Sequence, residues 1–293
     1  MEITEDRPAP LGASKQAVQH HYDLGNEFYA LWLDATRTYS CGLWDGALTL
    51  EAAQERKLDY HIERANAAGA QRVLDIGCGW GSLLHRLVGK TGVQQAVGLT
   101  LSDAQAEWVL ARSDARVSVL IQSWEEHLPE VKYDAIISIG AFEHFARPNL
   151  DRTEVINAYR KFFLKCHQWL VPGGCLSLQT IAYGTARRKD LNRFIIEEIF
   201  PESDLPTLSE IASACDGVFE ITLLRNDRLD YETTLKHWYF NLRAKKAQAV
   251  ALVGEETVAN YEKYLSLFMI GFHTGAMNLF RIALRRVDAR RER

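Results

Sequence analysis

Five short apolar runs recur through the middle of the chain, each closed by small or polar residues: "RVLDIG" (72–77), "QAVGLTL" (95–101), "RVSVLIQ" (116–122), "YDAIISIG" (133–140) and "CLSLQTIAY" (175–183). Between them, "GSLLHRLVGK" (81–90), "DAQAEWVLARS" (103–113) and "EVINAYRKFFLKCHQWL" (154–170) repeat apolar residues three and four apart. That spacing is the signature of an amphipathic helix, whereas the short apolar runs suit buried strands. "VPGG" (171–174) supplies a stop after the third helix. Strands alternating with helices predict βαβ units and a mostly parallel sheet. Strands this continuously apolar predict helices on both of its faces.

The flanks read differently. Residues 1–12 suggest a loose arm, and 15–68 reads mostly helical, with aromatics at Tyr22, Phe28, Tyr29, Trp32, Tyr39 and Trp44. Residues 185–215 are a charged, helical insertion. "VFEITLLRN" (218–226) and "LFRIALRRV" (279–287) read as the last two strands, with a helical stretch over 232–270 between them. The expectation is a Rossmann-like α/β fold, a mostly parallel seven-stranded sheet with a helical cap from the N-terminus and the late insertions. Its divisions are a flexible arm at 1–12 and one domain over 13–293. Within that domain, 13–70 forms a helical lid, 71–183 the ligand-binding core, 184–275 cap insertions around strand 218–226, and 276–287 the last strand.

Composition changes this little. The chain has 293 residues, 47% hydrophobic and 25% charged, with a net charge of -4. A nucleic-acid binder normally carries a basic surplus. The one basic cluster, "RIALRRVDARRER" (281–293), reads as a solvated terminus. Cysteines 41, 78, 166, 175 and 215 form no CxxC pair, which predicts reduced thiols, a cytoplasmic location and no metal site. The start, "MEITEDRPAP", reads as neither a signal nor a transit peptide. No apolar run reaches the ~18 residues that span a bilayer.

The sharpest motif is "LDIGCGWGSL" (74–83), a G-x-G-x-G turn of Gly77, Gly79 and Gly81 between a strand and a helix. Such a turn brings backbone N–H groups to a ligand at the helix N-terminus. Asp75, two residues before the first glycine, would repel a pyrophosphate but suits an amino group or a hydroxyl. Gly81 also comes one residue early for a dinucleotide fingerprint. A nucleoside carrying an amine, such as S-adenosylmethionine, fits better. After the second strand, Thr100 or Gln105 takes the place of the usual ribose-binding acid. After the third, "QSWEEH" (122–127) offers Trp124 and Glu125 to an adenine. The same spacing equally suits a core tryptophan and a surface glutamate. In "SIGAFEHF" (138–145), Glu143 stands past the fourth strand, where open α/β sheets bind ligands. It reads as a base or as the holder of one, and His144 as a packing residue.

Taken together, these segments resemble the cyclopropane fatty-acid synthases and mycolic-acid methyltransferases, which depend on S-adenosylmethionine. The likeness runs from about residue 18 onward and rests on "HYDLGNEFYALWLD" (21–34), "TYSCGLWDG" (38–46), "VLDIGCGWGSL" (73–83), "VGLTLSDAQ" (97–105), "SIGAFEHF" (138–145), "RFIIEEIFP" (193–201) and "DYETTLKHW" (230–238). It implies a class I methyltransferase fold. It also implies that Tyr39 and Ser40 close over the cofactor, that Asp75, Gly77, Gly79 and Gly81 hold its methionine end, that Thr100, Leu101 and Gln105 sit near ribose and adenine, and that Trp124, Glu125 and Ile139 complete the site. A bicarbonate base is implied, with ligands at Cys41 (main chain), Glu143, Ile181 (main chain) and Tyr231.

Two departures stand out. Where the family has His in "LHTI", this chain has Gln179 in "LQTI" (178–181). Glutamine still donates a hydrogen bond but never becomes cationic, so bicarbonate is held more weakly. In "IFPESDLP" (199–206), Glu202 and Ser203 replace a Gly-Gly near the acyl entrance. The implied activity is methylation of an alkene carbon of a lipid or isoprenoid-like molecule through a carbocation, with cyclopropane closure as one ending. The competing readings are an N-methyltransferase of a small amine and an inactive cofactor-binding partner subunit. The partners implied are an apolar substrate and a membrane surface or carrier protein, not a nucleic acid.

Overall fold

In the computed structural model, which describes residues 24–190, 194 and 202–288, the alternating pattern becomes a seven-stranded sheet. Its strands are β1 (Arg72–Ile76), β2 (Gln95–Thr100), β3 (Val117–Ile121), β4 (Tyr133–Ile139), β5 (Leu170–Tyr183), β6 (Phe219–Asn226) and β7 (Met277–Arg286), in the order β3-β2-β1-β4-β5-β7-β6. The first five run parallel, and β7 is antiparallel to both β5 and β6. The order reverses between β1 and β4, and that switch point opens a crevice at the C-terminal ends of the strands.

The described helices are α1 (Asn26–Ala30), α2 (Leu50–Arg64), α3 (Ser82–Lys90), α4 (Asp103–Leu110), α5 (Arg152–Trp169), α6 (Leu208–Cys215), α7 (Arg228–Ala244), α8 (Lys246–Val253) and α9 (Glu255–Thr274). Alternate strand residues face opposite layers. Leu74, Ile76 and Ile136 pack with Phe162 and Phe163 of α5. Val73, Ala135 and Ile137 pack with Ile62 of α2 and Leu84 and Leu87 of α3. Local signals set the helix starts: Asp151 with Glu154, and Thr207 with Glu210, form reciprocal capping boxes, each cap contributing ~1 kcal/mol.

A third apolar cluster caps the C-terminal edge. Phe28, Tyr29 and Trp32 meet Trp238 of α7 and Tyr261, Tyr264 and Phe268 of α9. Ring centroids lie 5.1 Å apart in Phe28–Tyr261 and 6.0 Å apart in Phe28–Trp32, and such pairs add ~0.5–1.5 kcal/mol beyond their buried area.

Three expectations change. Within 15–68 the described helices are α1 and α2 alone, and residues 31–49 are turns and loop. Asp34 explains this locally: its carboxylate accepts the Thr36 and Thr38 backbone N–H groups at 2.9 and 2.8 Å, which satisfies them without a helix. The helical stretch over 232–270 is three helices, broken at Lys245 and at Gly254, whose φ is 85°. Within 185–215, the described part is helical at α6 and in a 3-10 turn at Arg188–Asp190. The expected arm at 1–12 and most of "RFIIEEIFP" lie outside the described residues.

Within the basic cluster at 281–293, Arg281 departs from its solvated reading: it is fully buried within β7, whereas Arg285 stays exposed and pairs with Glu220 at 2.5 Å. The strand pattern, not the charge, decides where these residues go.

Candidate active site

The crevice holds two adjoining pockets. The larger encloses about 1150 Å³, counting space open to solvent at its mouth, and lies over the ends of β1, β2 and β4. The glycine turn forms its floor. Gly77 and Cys78 donate their N–H groups to the Leu99 carbonyl at 3.0 and 2.9 Å. Gly77 has φ 83°, and a Cβ there would lie 2.6 Å from the Ala141 Cβ, so this turn passes too close to the β4 loop for any side chain. Gly79 has φ 52° and no heavy atom within 4 Å of its virtual Cβ, leaving its backbone open to the cleft. Gly81 is the N-cap of α3 and does not line the cleft; it packs against Val109, while Ser82 and Leu83 of the first turn do line it.

Asp75 lies at the end of this floor, 3% exposed. Burial pushes its carboxyl up to about 7, against the pull of the Lys57 ammonium. Thr100 Oγ1 donates to Gln105 Oε1 at 2.7 Å, so the two expected ribose-side residues hold each other at the end of β2. Leu101, Ile139, Tyr39 and Ser40 line the same cleft. Trp124 is both core and wall: it packs on Phe145 and Phe162 at 5.1 and 5.5 Å and still lines the cleft. Glu125 also lines it, but its Oε1 takes the Lys161 ammonium at 2.6 Å. One oxygen of the expected adenine acceptor is therefore engaged by a surface lysine.

These features suit S-adenosylmethionine: an open glycine backbone, a buried acid without a phosphate cradle, and a tryptophan wall. Asp75 and the glycine turn would hold its methionine end, and Trp124 its adenine.

The second pocket, about 810 Å³, shares Tyr39, Ser40, Gly140 and His144 with the first. It brings Glu143, Gln179, Ile181 and Tyr231 together, beside Tyr264, Phe268 and Met277. Glu143 sits in the 3-10 turn Phe142–His144 that follows β4. Its Oε1 accepts the Ile181 N–H at 2.6 Å, while its Oε2 is buried without a partner among the described residues. Burial pushes this carboxyl up to about 7, opposed mainly by the hydrogen bond from the Ile181 N–H. His144 pairs its Nδ1 with Ser203 Oγ at 2.7 Å, and burial pushes it down to about 4. It is neutral at pH 7.

Cys41 does not line either pocket. It is fully buried behind them, its carbonyl facing Gln179 Nε2 at 3.5 Å, and burial pushes its thiol up to about 12. Gln179 Oε1 accepts from Arg281 Nε at 2.9 Å and lies 3.3 Å from His61 Nε2. With donors on its oxygen side, the amide keeps its NH2 end toward Cys41 and the pocket. Arg281 also donates to the Gly42 carbonyl at 2.8 Å and pairs with Asp227.

Sequence reasoning passed over Lys57, His61 and Arg281. A signal existed for the first two: Gln54, Lys57 and His61 fall on the face of α2 that also carries Leu50, Leu58 and Ile62. Polar residues at helical spacing on an apolar face mark a buried polar cluster.

The sequence profile of the family described as Mycolic acid cyclopropane synthetase matches residues 11–282. Cyclopropane mycolic acid synthase 3 of Mycobacterium tuberculosis is 36% identical, across 92% of this chain and 94% of its own. Hydroxymycolate synthase MmaA4 of Mycobacterium bovis is also 36% identical, across 85% of each chain. The crystal structure of mycolic acid cyclopropane synthase CmaA1 complexed with SAH and CTAB superposes with a TM-score of 0.84 at 33% identity, covering 94% of this chain and 99% of that one. By sequence and by fold, the chain belongs to the mycolic acid cyclopropane synthetase family and is an S-adenosylmethionine-dependent methyltransferase.

Proposed function

We propose that the acceptor is an alkene carbon of an apolar lipid or isoprenoid-like molecule, bound in the second pocket. The observation that carries this is Glu143 Oε2, buried and without a partner among the described residues, in a pocket walled by Tyr231, Tyr264, Phe268 and Met277. When bound, S-adenosylmethionine would supply an electrophilic methyl group and leave as S-adenosylhomocysteine; Tyr39, Ser40, Gly140 and His144, which line both pockets, lie between cofactor and acceptor. Methylating an alkene leaves a cation on the acceptor, and the ring faces of Tyr231, Tyr264 and Phe268 stabilise it. Glu143 then takes a proton at Oε2, directly or through an anion that it helps hold. Loss from the new methyl closes a cyclopropane; loss from a neighbouring carbon leaves a methylated alkene. A positioned base contributes about 10²–10⁴-fold.

Gln179 and Tyr231, which line the second pocket, are the side-chain donors proposed for a bicarbonate ion; the Ile181 N–H is taken by Glu143 Oε1, and Cys41 lines neither pocket. Gln179 offers it a neutral hydrogen bond where a protonated histidine would offer a charge-assisted one, about twice as strong. The ion is therefore weakly held.

The relatives' names support the lipid reading: cyclopropane mycolic acid synthase and hydroxymycolate synthase. Of the two carboxylates among the described residues of the pocket, Asp204 accepts Tyr183 OH at 2.6 Å and lies 3.6 Å from Arg188, so the amine reading would have to place its ammonium on Glu143. An apolar acceptor has to arrive from a membrane surface or a carrier. Among the described residues no helix is long and apolar enough to cross a bilayer. The five cysteines are free and buried, which supports a reducing cytoplasm.

The test is incubation with methyl-labelled cofactor and separate lipid and amine extracts. Label in a non-basic, organic-soluble product supports alkene methylation. Label in a basic product moves the acceptor to nitrogen. Cofactor binding with no labelled product from either extract favours the inactive subunit.

A further inference from the structure

The buried face of α2 carries three polar side chains, and two of them are accounted for. Gln54 Nε2 donates to the Ser40 and Thr38 carbonyls at 2.8 and 3.3 Å, clamping the loop before α2. His61 meets Ser177 and Gln179. Lys57 differs. Its Nζ donates to Ser40 Oγ at 2.8 Å, and no carboxylate among the described residues is in ion-pair contact with it. Asp34 and Asp75 favour its charge from a distance, while Arg281 opposes it. Burial wins, pushing the ammonium down to about 7. A buried cation without a contacting anion is costly, and proteins rarely keep one.

Lys57 lines the cofactor cleft together with Ser40 and Asp75. Asp75 has the complementary deficiency, a buried carboxyl with no cation in ion-pair contact among the described residues. One cleft therefore holds a buried base and a buried acid that do not pair with each other, beside an open glycine turn. A ligand end bearing one ammonium and one carboxylate satisfies both. The α-amino acid end of the cofactor is such a group.

We propose that Lys57, together with Ser40, binds the α-carboxylate of the cofactor's methionine end, opposite the α-ammonium held by Asp75. This inference rests on the cofactor cleft and is independent of the acceptor. It differs from a merely structural role, in which Lys57 only props Ser40. A prop affects every ligand of the cleft equally; an ionic partner affects only ligands that carry the carboxylate.

Calorimetric titration separates the two. The ligands are S-adenosylhomocysteine, its decarboxylated analogue, and 5′-methylthioadenosine, which lacks the amino-acid end. Lys57→Met is expected to weaken S-adenosylhomocysteine at least tenfold while leaving methylthioadenosine within twofold. Lys57→Arg, which keeps the charge, is expected to retain most of the affinity. Equal losses for both ligands in Lys57→Met, or no loss for either, would overturn the proposal. Should Lys57→Met not fold, the unmodified protein still decides. Decarboxylated S-adenosylhomocysteine must bind at least tenfold more weakly than the parent, and equal affinity overturns the inference. Absence of any S-adenosylhomocysteine binding would overturn the cofactor cleft itself, a distinguishable failure.

Discussion

Gln179 on β5 stands directly opposite Arg281 on β7 in the antiparallel ladder, and Arg281 Nε donates to Gln179 Oε1 at 2.9 Å. The register thus places a buried guanidinium behind the one residue that departs from the family's histidine. Gln179 serves two neighbours: its oxygen anchors Arg281, and its amino end faces the pocket.

Removing that oxygen is therefore expected to be costly. Gln179→Leu leaves Arg281 Nε buried without its acceptor, a loss of about 1–3 kcal/mol. Urea unfolding measures it. Stability unchanged within error would mean that Arg281 finds another acceptor and that the ladder pair matters little.

Gln179→His is expected to increase the dependence of turnover on added bicarbonate, because a histidine can become cationic beside the anion. The assay compares carbonate-free buffer with buffer containing bicarbonate. An unchanged ratio would remove Gln179 from the anion site.

Glu143→Gln is expected to lower kcat by about 10²–10⁴-fold, with S-adenosylhomocysteine affinity kept within a few-fold. The same variant tests the raised acidity constant. Burial holds the folded Glu143 at about 7, above the ordinary 4.5. Between these values the folded state binds more protons than the unfolded state, so the Glu143 contribution to stability is full below pH 4.5 and is lost as pH rises through 7. The stability of the parent protein relative to Glu143→Gln is expected to fall by roughly 3 kcal/mol across that window. A flat difference would show that the carboxyl ionises as if exposed.

The glycine turn separates packing from binding. Gly77→Ala puts a methyl 2.6 Å from the Ala141 Cβ at a φ of 83°, so a drop in melting temperature is expected. Gly79→Ala has open space around it, and its left-handed φ costs only about 1 kcal/mol. Its main effect is expected on S-adenosylmethionine affinity, because the added methyl enters the cleft. Equal melting temperatures and equal affinities for the two variants would contradict this division.

Tyr231→Phe is expected to lower kcat while leaving cofactor affinity unchanged, since Tyr231 lines the second pocket and not the first. Loss of cofactor binding would instead mark Tyr231 as a packing residue of the cap, through its contact with Phe272 at 4.5 Å.

By itself the sequence determined the elements whose cause is local. The apolar runs became β1, β2, β4 and β5 because a strand buried on both faces is apolar throughout; the run at β3 became the sheet's edge strand, with Leu120 and Ile121 exposed. The capping boxes at Asp151 and Thr207 started helices because their side chains satisfy the first free N–H groups. The turn at Gly77–Gly81 was legible because strand–glycine–helix order has a direct geometric meaning. The family likeness added Tyr231, which lies on another helix and whose spacing alone says nothing of Glu143.

Only the tertiary structure decided what depends on partners distant in sequence. The loop at 31–49 looked helical by its aromatic spacing, yet those rings pack against α7 and α9, more than 190 residues later in the chain. Arg281 looked like part of a solvated basic tail, yet the β5–β7 register buries it against Gln179. Lys57 drew no notice on a helix and proves to line the cofactor cleft. In each case local propensity leaves the position of a side chain undetermined. Burial and charge compensation from remote segments settle it, and a buried charge can persist only where the assembled fold, or a ligand, supplies its counterpart.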